Sequence, residues 1–340
     1  MKGQYLSPPV DDRLIWEVWL SSHNLPAMLA ADQINLFDKL ADGPLSVQDA
    51  ATVCNVNPRA LGIISGLLCA LGFLNRRDGR LGLTVTSRNY LVKSSNFYWG
   101  ALLGFWRERL PTYDQFMEAL SPDAAHKGGD HAKGWEAGKI PLEQAIGIAA
   151  FMHAHSCAPA IGAARSGAYK GVKRLLDVGA GSGVFAIAAA QACPDLKATV
   201  MDLDTMCQAA KKYIDEGEVA DRVDTAAVDM FREPWPTGYD ALFFSNIFHD
   251  WNDETCVELA KKAFDVLPSG GKIFLHEQLM NDNLDGPVVT ASFSVLMLIG
   301  TQGKQYSLQE FEAILGKAGF VDVEATATCG YYSLVSARKP

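Results

Sequence analysis

A glycine-rich loop in the second half of the chain has the residue types that cradle a nucleotide-like ligand. Residues 177–183 read Asp-Val-Gly-Ala-Gly-Ser-Gly, between a short apolar strand candidate and a run of small apolar residues. Glycines let ligand atoms approach the backbone, and the start of the following helix supplies free N–H groups. The next strand candidate ends at Asp202, which is placed to accept hydrogen bonds from two ribose hydroxyls. The positions predicted to bind the ligand here are Asp177, Gly179, Gly181, Gly183, Asp202 and Leu203.

The spacing of the glycines separates two cofactor classes. Dinucleotide-binding loops favour G-x-G-x-x-G, which would need a glycine at position 184, where this chain has Val184. A carboxylate at Asp177 would repel a pyrophosphate, but it suits the sulfonium and ammonium groups of S-adenosylmethionine. The residues therefore favour S-adenosylmethionine as cofactor, with S-adenosylhomocysteine as its product, over a nicotinamide dinucleotide.

Two later strand candidates bring further side chains to the same edge of the sheet, where ligands of α/β folds bind. Residues 223–228 lead to Asp229, whose carboxylate could accept an adenine amino proton, and to Met230 and Phe231, which could pack near the ring. Residues 240–245 end at Ser245. We expect these four side chains to contact the cofactor.

A histidine follows the second of these strands and is the candidate for acid–base chemistry. His249 and Asp250 lie just beyond Ser245, and the strand candidate at 272–277 ends at Glu277. Imidazole has a pKa near neutrality and suits removal of a proton from a phenol. The sequence therefore predicts a proton-abstracting group at the same edge as the cofactor.

Composition and charge limit the classes of function. The chain has 340 residues, of which 49% are hydrophobic, so it can bury a sizeable core in one or two domains. Its net charge of -9 argues against a nucleic-acid partner, which needs a basic face. No uninterrupted apolar run reaches the length of a membrane span, so we expect a cytoplasmic protein without a membrane partner. The seven cysteines form no Cys-x-x-Cys pair, and we expect reduced thiols and no metal site.

The elements that carry the site belong to the second of two segments. In the first, a capping box at Ser46 and an Asn57-Pro58 helix start predict two helices, and Asp78-Gly79 predicts a hairpin turn. This is a winged-helix pattern, but the second helix presents isoleucines and leucines in place of base-reading side chains. Strands and helices alternate from about residue 170, which predicts an α/β fold. We expect a winged-helix dimerisation domain over 1–115 and an S-adenosylmethionine-binding domain over 116–340.

Taken together, these motifs resemble those of the class I S-adenosylmethionine-dependent O-methyltransferases of the plant caffeate and isoflavone type. Bacterial natural-product enzymes and the acetylserotonin methyltransferase belong to the same group. The segment Phe-His-Asp-Trp-Asn-Asp-Glu at 248–254 matches the catalytic-histidine motif of that family, and the resemblance extends over nearly the whole chain. It implies a Rossmann-like seven-stranded sheet, an N-terminal, mainly helical dimerisation domain, and O-methylation of a phenolic or similar small molecule in secondary metabolism.

The resemblance also implies roles for individual residues. His249 would be the general base, supported by Asp250, and Glu277 matches the first of two glutamates that orient it in the plant enzymes. The second glutamate corresponds to Gln305, which can hold a hydrogen bond but adds no charge, so it would raise the basicity of His249 less. The acceptor pocket would be apolar and aromatic. Its predicted substrate-contacting positions are Trp106, Phe151, Met152, His155, Phe293, Met297 and Gln305.

Three alternatives stay open at the level of sequence. The chain could methylate carbon or nitrogen, or bind the cofactor without transferring a methyl group, since the family contains such members. A nicotinamide-dependent dehydrogenase is opposed by Val184 and Asp177. A winged-helix sensor of small molecules is opposed by the apolar helix that begins at Ala60.

Overall fold

The computed structural model describes residues 10–120 and 137–340. The chain divides into two compact units at the bond between Leu110 and Pro111. The boundary predicted after residue 115 falls inside a helix, Tyr113–Ala119. Each unit has a hydrophobic core of its own.

The first unit is mainly helical and carries a small antiparallel sheet. Ser46 and Asn57 cap its fourth and fifth helices by accepting backbone N–H groups, as the sequence predicts. The two-stranded hairpin is extended to three strands by a strand of two residues, which pairs with the second strand of the hairpin. The helices are α1 (Arg13–Ser21), α2 (Asn24–Gln33), α3 (Leu36–Lys39), α4 (Val47–Cys54), α5 (Pro58–Ala70), α6 (Val85–Tyr90) and α7 (Gly100–Glu108). The strands are β1 (Leu45–Ser46), β2 (Leu74–Arg77) and β3 (Arg80–Leu83).

The second unit is an α/β layer structure built on a seven-stranded sheet, which confirms the predicted fold class. Its helices are α8 (Tyr113–Ala119), α9 (Leu142–Arg165), α10 (Val184–Ala192), α11 (Asp204–Glu216), α12 (Asp253–Val266), α13 (Val288–Gly300) and α14 (Leu308–Ala318). Its strands are β4 (Arg174–Val178), β5 (Lys197–Asp202), β6 (Val223–Ala227), β7 (Ala241–Ser245), β8 (Lys272–Gln278), β9 (Val321–Cys329) and β10 (Tyr332–Arg338). A single 3₁₀ turn, Phe248–Asp250, follows β7.

The order of the strands determines where a ligand can bind. The order is β6-β5-β4-β7-β8-β10-β9, and every neighbouring pair from β6 to β8 is parallel. From β4 the chain proceeds to β5 on one side and later returns to β7 on the other. This reversal opens a crevice at the carboxyl ends of β4 and β7, the position at which open α/β sheets bind ligands. The terminal hairpin of β9 and β10 adds the antiparallel edge.

Both faces of the sheet are covered, so its central strands are apolar on both sides. Strand β7 shows this clearly, since four of its five residues are buried. One described helix, α9, is long and apolar enough by composition to cross a membrane. It packs against α10 and α11 of the same unit.

Candidate active site

The glycine loop connects β4 to α10 in the conformation that its sequence predicts. Gly179, Gly181 and Gly183 all have positive φ, between 57° and 74°, which side chains rarely tolerate. A Cβ on Gly179 would lie 2.5 Å from the side chain of Ile247, and one on Gly183 would lie 2.8 Å from Val200. The loop therefore needs glycine for its conformation and for the space around it.

Asp202 ends β5 and connects that strand to the loop. Its carboxylate accepts the N–H of Gly181 at 2.9 Å and that of Leu203 at 2.7 Å. Burial raises its pKa to about 6, although these two hydrogen bonds lower it. Each carboxylate oxygen keeps a lone pair for a further donor. Asp202, Leu203, Gly179 and Gly181 all line one cleft, as expected for a site that holds a ribose.

Asp177 is turned away from this cleft. Its side chain is 1% exposed and accepts the N–H of Ala186 at 3.1 Å, in the first turn of α10. Burial raises its pKa to about 8, so the carboxyl group is largely protonated at neutral pH. In this structure it satisfies a helix N-terminus, and its predicted attraction for the cationic end of the cofactor stays a prediction. Gly183 likewise supports the loop and does not line the cleft.

The far wall of the cleft is apolar. Met230 and Phe231 line it as predicted, and the ring of Phe231 makes an edge contact with Trp251 at a centroid distance of 4.7 Å. Asp229 lies beside them and forms an ion pair with Arg232. Partial burial raises the pKa of Asp229, but the hydrogen bonds that it accepts from Arg232 and Phe231 lower the pKa by more. The carboxylate is therefore ionised and can accept a further hydrogen bond.

Several lining residues were not among the predicted positions. They lie in a strand, directly after a strand or turn, or on a helix beside the cleft: Ile148, Met201, Met206, Val228, Asn246, Ile247 and Trp251. Asn246 could have been found from its position, since it directly follows the central strand β7. In the structure it adopts a left-handed φ of 55°. Asn tolerates this conformation better than most residues.

Ser245, predicted to contact the cofactor, does not line the cleft. Its hydroxyl lies 3.2 Å from Nδ1 of His276, whose Nε2 lies 2.9 Å from the hydroxyl of Thr328. The imidazole of His276 also stacks on Tyr332 at 4.9 Å. Burial lowers the pKa of His276 to about 3, so this ring is neutral and belongs to the core.

His249 lies in the 3₁₀ turn after β7 and is buried, with 4% of its surface exposed. Its Nδ1 lies 2.9 Å from Oε2 of Glu277, at the end of the neighbouring strand β8. The other oxygen of Glu277, Oε1, accepts the N–H groups of Ile247 and Phe248 at 3.1 and 3.2 Å. The carboxylate is thus fixed by the backbone that leads into the histidine, and it fixes the imidazole in turn.

Gln305 approaches the same nitrogen. Its side-chain amide lies 2.9 Å from Nδ1 of His249, and the side chain is 1% exposed. In the structure the amide NH2 faces Nδ1, and the amide oxygen has no hydrogen-bond partner among the described residues. Oε2 of Glu277 also lacks a hydrogen-bond partner there, so its approach to Nδ1 at 2.9 Å is an ionic contact. A hydrogen on Nδ1 directed at Glu277, with the amide turned by half so that its oxygen faces Nδ1, would satisfy both oxygens and leave Nε2 with the free lone pair.

Burial and charge act in opposite directions on His249. Burial lowers its pKa, but the charges of Glu277 and Asp250, with the hydrogen bond to Glu277, outweigh burial and raise it above the ordinary value. Oδ1 of Asp250 lies 3.7 Å from Nε2. Burial raises the pKa of Asp250 to about 6, against the lowering effect of His249. The site therefore holds a more basic imidazole than a solvated histidine.

Five of the seven predicted acceptor residues lie on two helices of the second unit. Phe293 and Met297 lie on α13, and the ring of Phe293 makes an edge contact with the imidazole of His249 at 5.1 Å. Phe151, Met152 and His155 lie on α9.

On α9, Met152 lines the cofactor cleft, and Phe151 contacts the ring of His155 at 5.4 Å. Burial and the charge on His249 lower the pKa of His155 to about 4, so His155 is neutral and close enough to His249 to interact electrostatically. Trp106 lies on α7 in the first unit, against that unit's core. Its predicted substrate contact stays a prediction.

Metal chemistry has no support from the side chains that the structure describes. Over residues 10–120 and 137–340, no group of three or more His, Cys, Asp and Glu side chains is arranged to hold a metal ion. His153 and His155 point in different directions on α9, since one contacts Ser182 and the other Ser156.

Comparison with known proteins identifies the family. A family model described as an O-methyltransferase domain matches residues 136–321. The 3-hydroxy-5-methyl-1-naphthoate 3-O-methyltransferase of Streptomyces sahachiroi is 33% identical over 299 residues, which are 87% of this chain and 86% of that protein. The L-tyrosine C(3)-methyltransferase of Streptomyces lavendulae is 37% identical over 152 residues, 44% of this chain and 42% of that protein.

A solved structure shows that the fold is shared. The crystal structure of human N-acetylserotonin methyltransferase in complex with S-adenosylmethionine matches with a TM-score of 0.80 and 22% identity, covering 98% of this chain and 99% of that chain. The glycine cradle, the apolar wall and Asp202 fit the same cofactor. The chain belongs to the O-methyltransferase family and is an S-adenosylmethionine-dependent enzyme of that family.

Proposed function

We propose that the enzyme methylates a hydroxyl group on an aromatic small molecule, with His249 as general base. The observation that carries this proposal is the contact of 2.9 Å between Nδ1 of His249 and Glu277. It fixes the ring so that Nε2 presents its lone pair, and it raises the affinity of the imidazole for a proton. A base of this kind suits a phenol, whose proton must leave as its oxygen becomes a nucleophile.

The residues around the cleft account for binding and orientation. S-adenosylmethionine supplies an electrophilic methyl group when it is bound. Asp202 would hold the ribose hydroxyls, Met230 and Phe231 would pack on the adenine, and Asp229 would accept its amino hydrogen. Asp250 lies between the cleft and Nε2 of His249, since it lines the former and lies 3.7 Å from the latter. In-line placement and exclusion of water then supply most of the rate, because a methyl transfer needs little else from the protein.

The acceptor is proposed from the surroundings of His249 and from one relative. Phe293 contacts the imidazole edge-on, and Met297 lies one turn further along α13. Flat aromatic acceptors fit such apolar, aromatic walls. The relative from Streptomyces sahachiroi is named for a hydroxynaphthoate, so we propose a phenolic, polycyclic natural product as the acceptor and secondary metabolism as the setting.

Carbon methylation is the second candidate, because one relative is named as an L-tyrosine C(3)-methyltransferase. Deprotonation of a phenol also activates the carbon beside the hydroxyl, so the same base would serve both reactions. The position of the new methyl group in the product, read by NMR, distinguishes them.

The base assignment is tested with His249→Ala. We expect turnover to fall by about 10²–10⁴-fold, the usual contribution of a general base. The affinity for S-adenosylhomocysteine, measured by calorimetry, should stay unchanged, because His249 does not line the cofactor cleft. Turnover at the wild-type rate would refute the assignment.

We also propose that the enzyme is a homodimer formed through its first unit. Helix α1 has no buried residue, and its large apolar side chains Leu14, Ile15, Trp16, Val18, Trp19 and Leu20 are exposed. A patch of this kind is unusual on a monomer and typical of an interface. Light scattering at micromolar concentration measures the mass directly.

A cytoplasmic location is proposed on chemical grounds. All seven cysteines are free in the structure, which suits a reducing compartment.

A further inference from the structure

Helix α9 contacts the glycine loop through two consecutive residues. A Cβ on Gly181 would lie 3.9 Å from Cβ of Met152, so the loop backbone packs directly on that side chain. The next residue, His153, places its Nδ1 3.3 Å from the hydroxyl of Ser182. Adjacent residues of the helix thus contact adjacent residues of the loop.

The ring of His153 also contacts a third element. It stacks on Tyr213 at a centroid distance of 4.2 Å and an interplanar angle of 20°. Tyr213 lies on α11, the helix that begins directly after Asp202 and Leu203. One imidazole therefore joins α9, the glycine loop and the helix that follows the ribose-binding residues.

The chemistry of the contact favours a neutral imidazole. Ser182 is 1% exposed, and His153 is its only side-chain partner among the described residues. A buried hydroxyl needs an acceptor for its hydrogen, and Nδ1 of a neutral imidazole offers one. Burial and the charge of Lys212 lower the pKa of His153, and the charge of Glu216 raises it by less. The net effect is a lowered pKa, so the ring is neutral at neutral pH.

We propose that His153 is a positioning residue for the cofactor. By accepting the hydroxyl hydrogen of Ser182 and stacking on Tyr213 in the last turn of α11, it holds the glycine loop against α9 and α11 in the position that S-adenosylmethionine requires. His153 does not line the cofactor cleft, so it acts through Ser182 and through the backbone of Gly181. The role is independent of whether His249 is the base.

The contact between His153 and Ser182 should also affect how tightly the cofactor binds. Met152 lines the cleft while its neighbour holds the loop, so the same helix turn meets the cofactor site directly and indirectly. A loop that is already held in place loses less conformational freedom when the cofactor binds, and the affinity is higher for that reason. The effect of His153 should therefore appear in cofactor affinity and not in the rate of the bound complex.

The test is a double-mutant cycle between His153 and Ser182. His153→Phe keeps a flat ring for the stack on Tyr213 and removes the acceptor, and Ser182→Ala removes the hydroxyl alone. We expect each change to weaken binding of S-adenosylhomocysteine by about 3–10-fold in calorimetry, the range of one hydrogen bond. The double variant should bind no more weakly than the weaker single variant, because the second change removes nothing further.

Kinetics and controls separate positioning from a general loss of structure. KM for S-adenosylmethionine should rise in parallel with the dissociation constant, whereas kcat at saturation and KM for the acceptor stay within about twofold. His153→Asn, which keeps a polar atom near the position of Nδ1, should recover part of the affinity. Cys157→Ser is a control one turn further along α9: Cys157 bonds the backbone oxygen of His153 and packs against the core, so the change perturbs the same part of the helix and leaves the contact of His153 with Ser182 in place.

Additive effects in the double variant would overturn the proposal, and so would unchanged affinity in Ser182→Ala. Equal losses in kcat and in affinity would also overturn it, since they indicate a disturbed active site. Ser182→Ala removes one oxygen atom, so it keeps the proposal testable if His153→Phe fails to fold.

Discussion

The contact between Glu277 and His249 can be tested with one substitution at Glu277, which changes both the charge and the hydrogen-bond direction at Nδ1. In Glu277→Gln, the amide oxygen can still accept the N–H groups of Ile247 and Phe248 that Oε1 accepts now. The amide nitrogen then faces Nδ1 in place of Oε2. Since that nitrogen only donates, and the amide of Gln305 can also present its NH2 to Nδ1, the tautomer with an acceptor at Nδ1 and the proton on Nε2 is favoured. The lone pair of the base is then directed away from the acceptor.

The size of the effect follows from these two changes. A carboxylate in direct contact with an imidazolium raises its pKa by about 1–3 units, which corresponds to about 1.4–4 kcal/mol. Loss of that charge weakens the base, and reversal of the tautomer removes the lone pair from the reacting side. Inactivating a general base in this way costs about 10²–10⁴-fold in kcat. We expect kcat of Glu277→Gln to fall within that range.

The assay is steady-state turnover as a function of pH, together with calorimetry of S-adenosylhomocysteine. Affinity for S-adenosylhomocysteine should change by less than about twofold, because neither Glu277 nor His249 lines the cofactor cleft. Glu258→Gln, an exposed residue of α12, is the matched control and should behave as wild type. A Glu277→Gln enzyme with kcat within threefold of wild type would refute both the tautomer argument and the role of His249.

Two further predictions use Gln305 and the glycine loop. The pKa of His249 lies above its ordinary value of 6.5, so activity should fall as pH drops through this raised pKa. Gln305→Glu adds a second carboxylate at Nδ1 and should move this acid limb of kcat/KM to higher pH by about one unit. An unmoved limb would show that the limb does not belong to His249. Gly183→Ala and Gly270→Ala both place alanine at a positive φ, of 74° and 79°, but only the former brings a Cβ within 2.8 Å of a neighbour. Left-handed strain costs about 1 kcal/mol in both variants, and overpacking adds about 1–3 kcal/mol in Gly183→Ala alone. We therefore expect Gly183→Ala to lower Tm by several degrees more than Gly270→Ala. Equal values of Tm would contradict this.

The cofactor half of the site could be predicted from sequence because its determinants are local. The strand, loop and helix around Gly179 to Gly183 are consecutive, and glycines with positive φ have few replacements. Asp202 follows at the end of the next strand, which pairs with β4 in parallel. Each of these determinants lies within one turn or one strand, and hydrophobic periodicity predicts such segments well.

Contacts between side chains that are far apart in the sequence could not be predicted from the residues alone. Glu277 is 28 positions from His249 and Gln305 is 56, so only the resemblance to a family placed them at Nδ1. Their meeting depends on β8 pairing with β7 and on the backbone of Gln305 bonding to Ser294 of α13. Asp177 shows a local contact that its residue type did not predict: its carboxyl group accepts the N–H of Ala186 at the start of α10, and its role towards the cofactor stays a prediction.

The arrangement at Nδ1 divides two tasks between two side chains. Glu277 supplies the only full negative charge in contact with that nitrogen among the described residues, while Gln305 supplies a second hydrogen-bond partner without charge. Both restrict the orientation of the ring, but only one raises its basicity. The base is therefore well oriented and moderately strong, and efficient transfer needs an acceptor hydroxyl whose own pKa is not far above that of the imidazolium. Phenols on extended or carboxylated aromatic systems meet that condition better than aliphatic alcohols. The prediction for Gln305→Glu therefore extends to substrate choice: across a series of phenols, the variant should gain most relative to wild type with the least acidic ones, and a gain that does not depend on acceptor pKa would contradict the assignment.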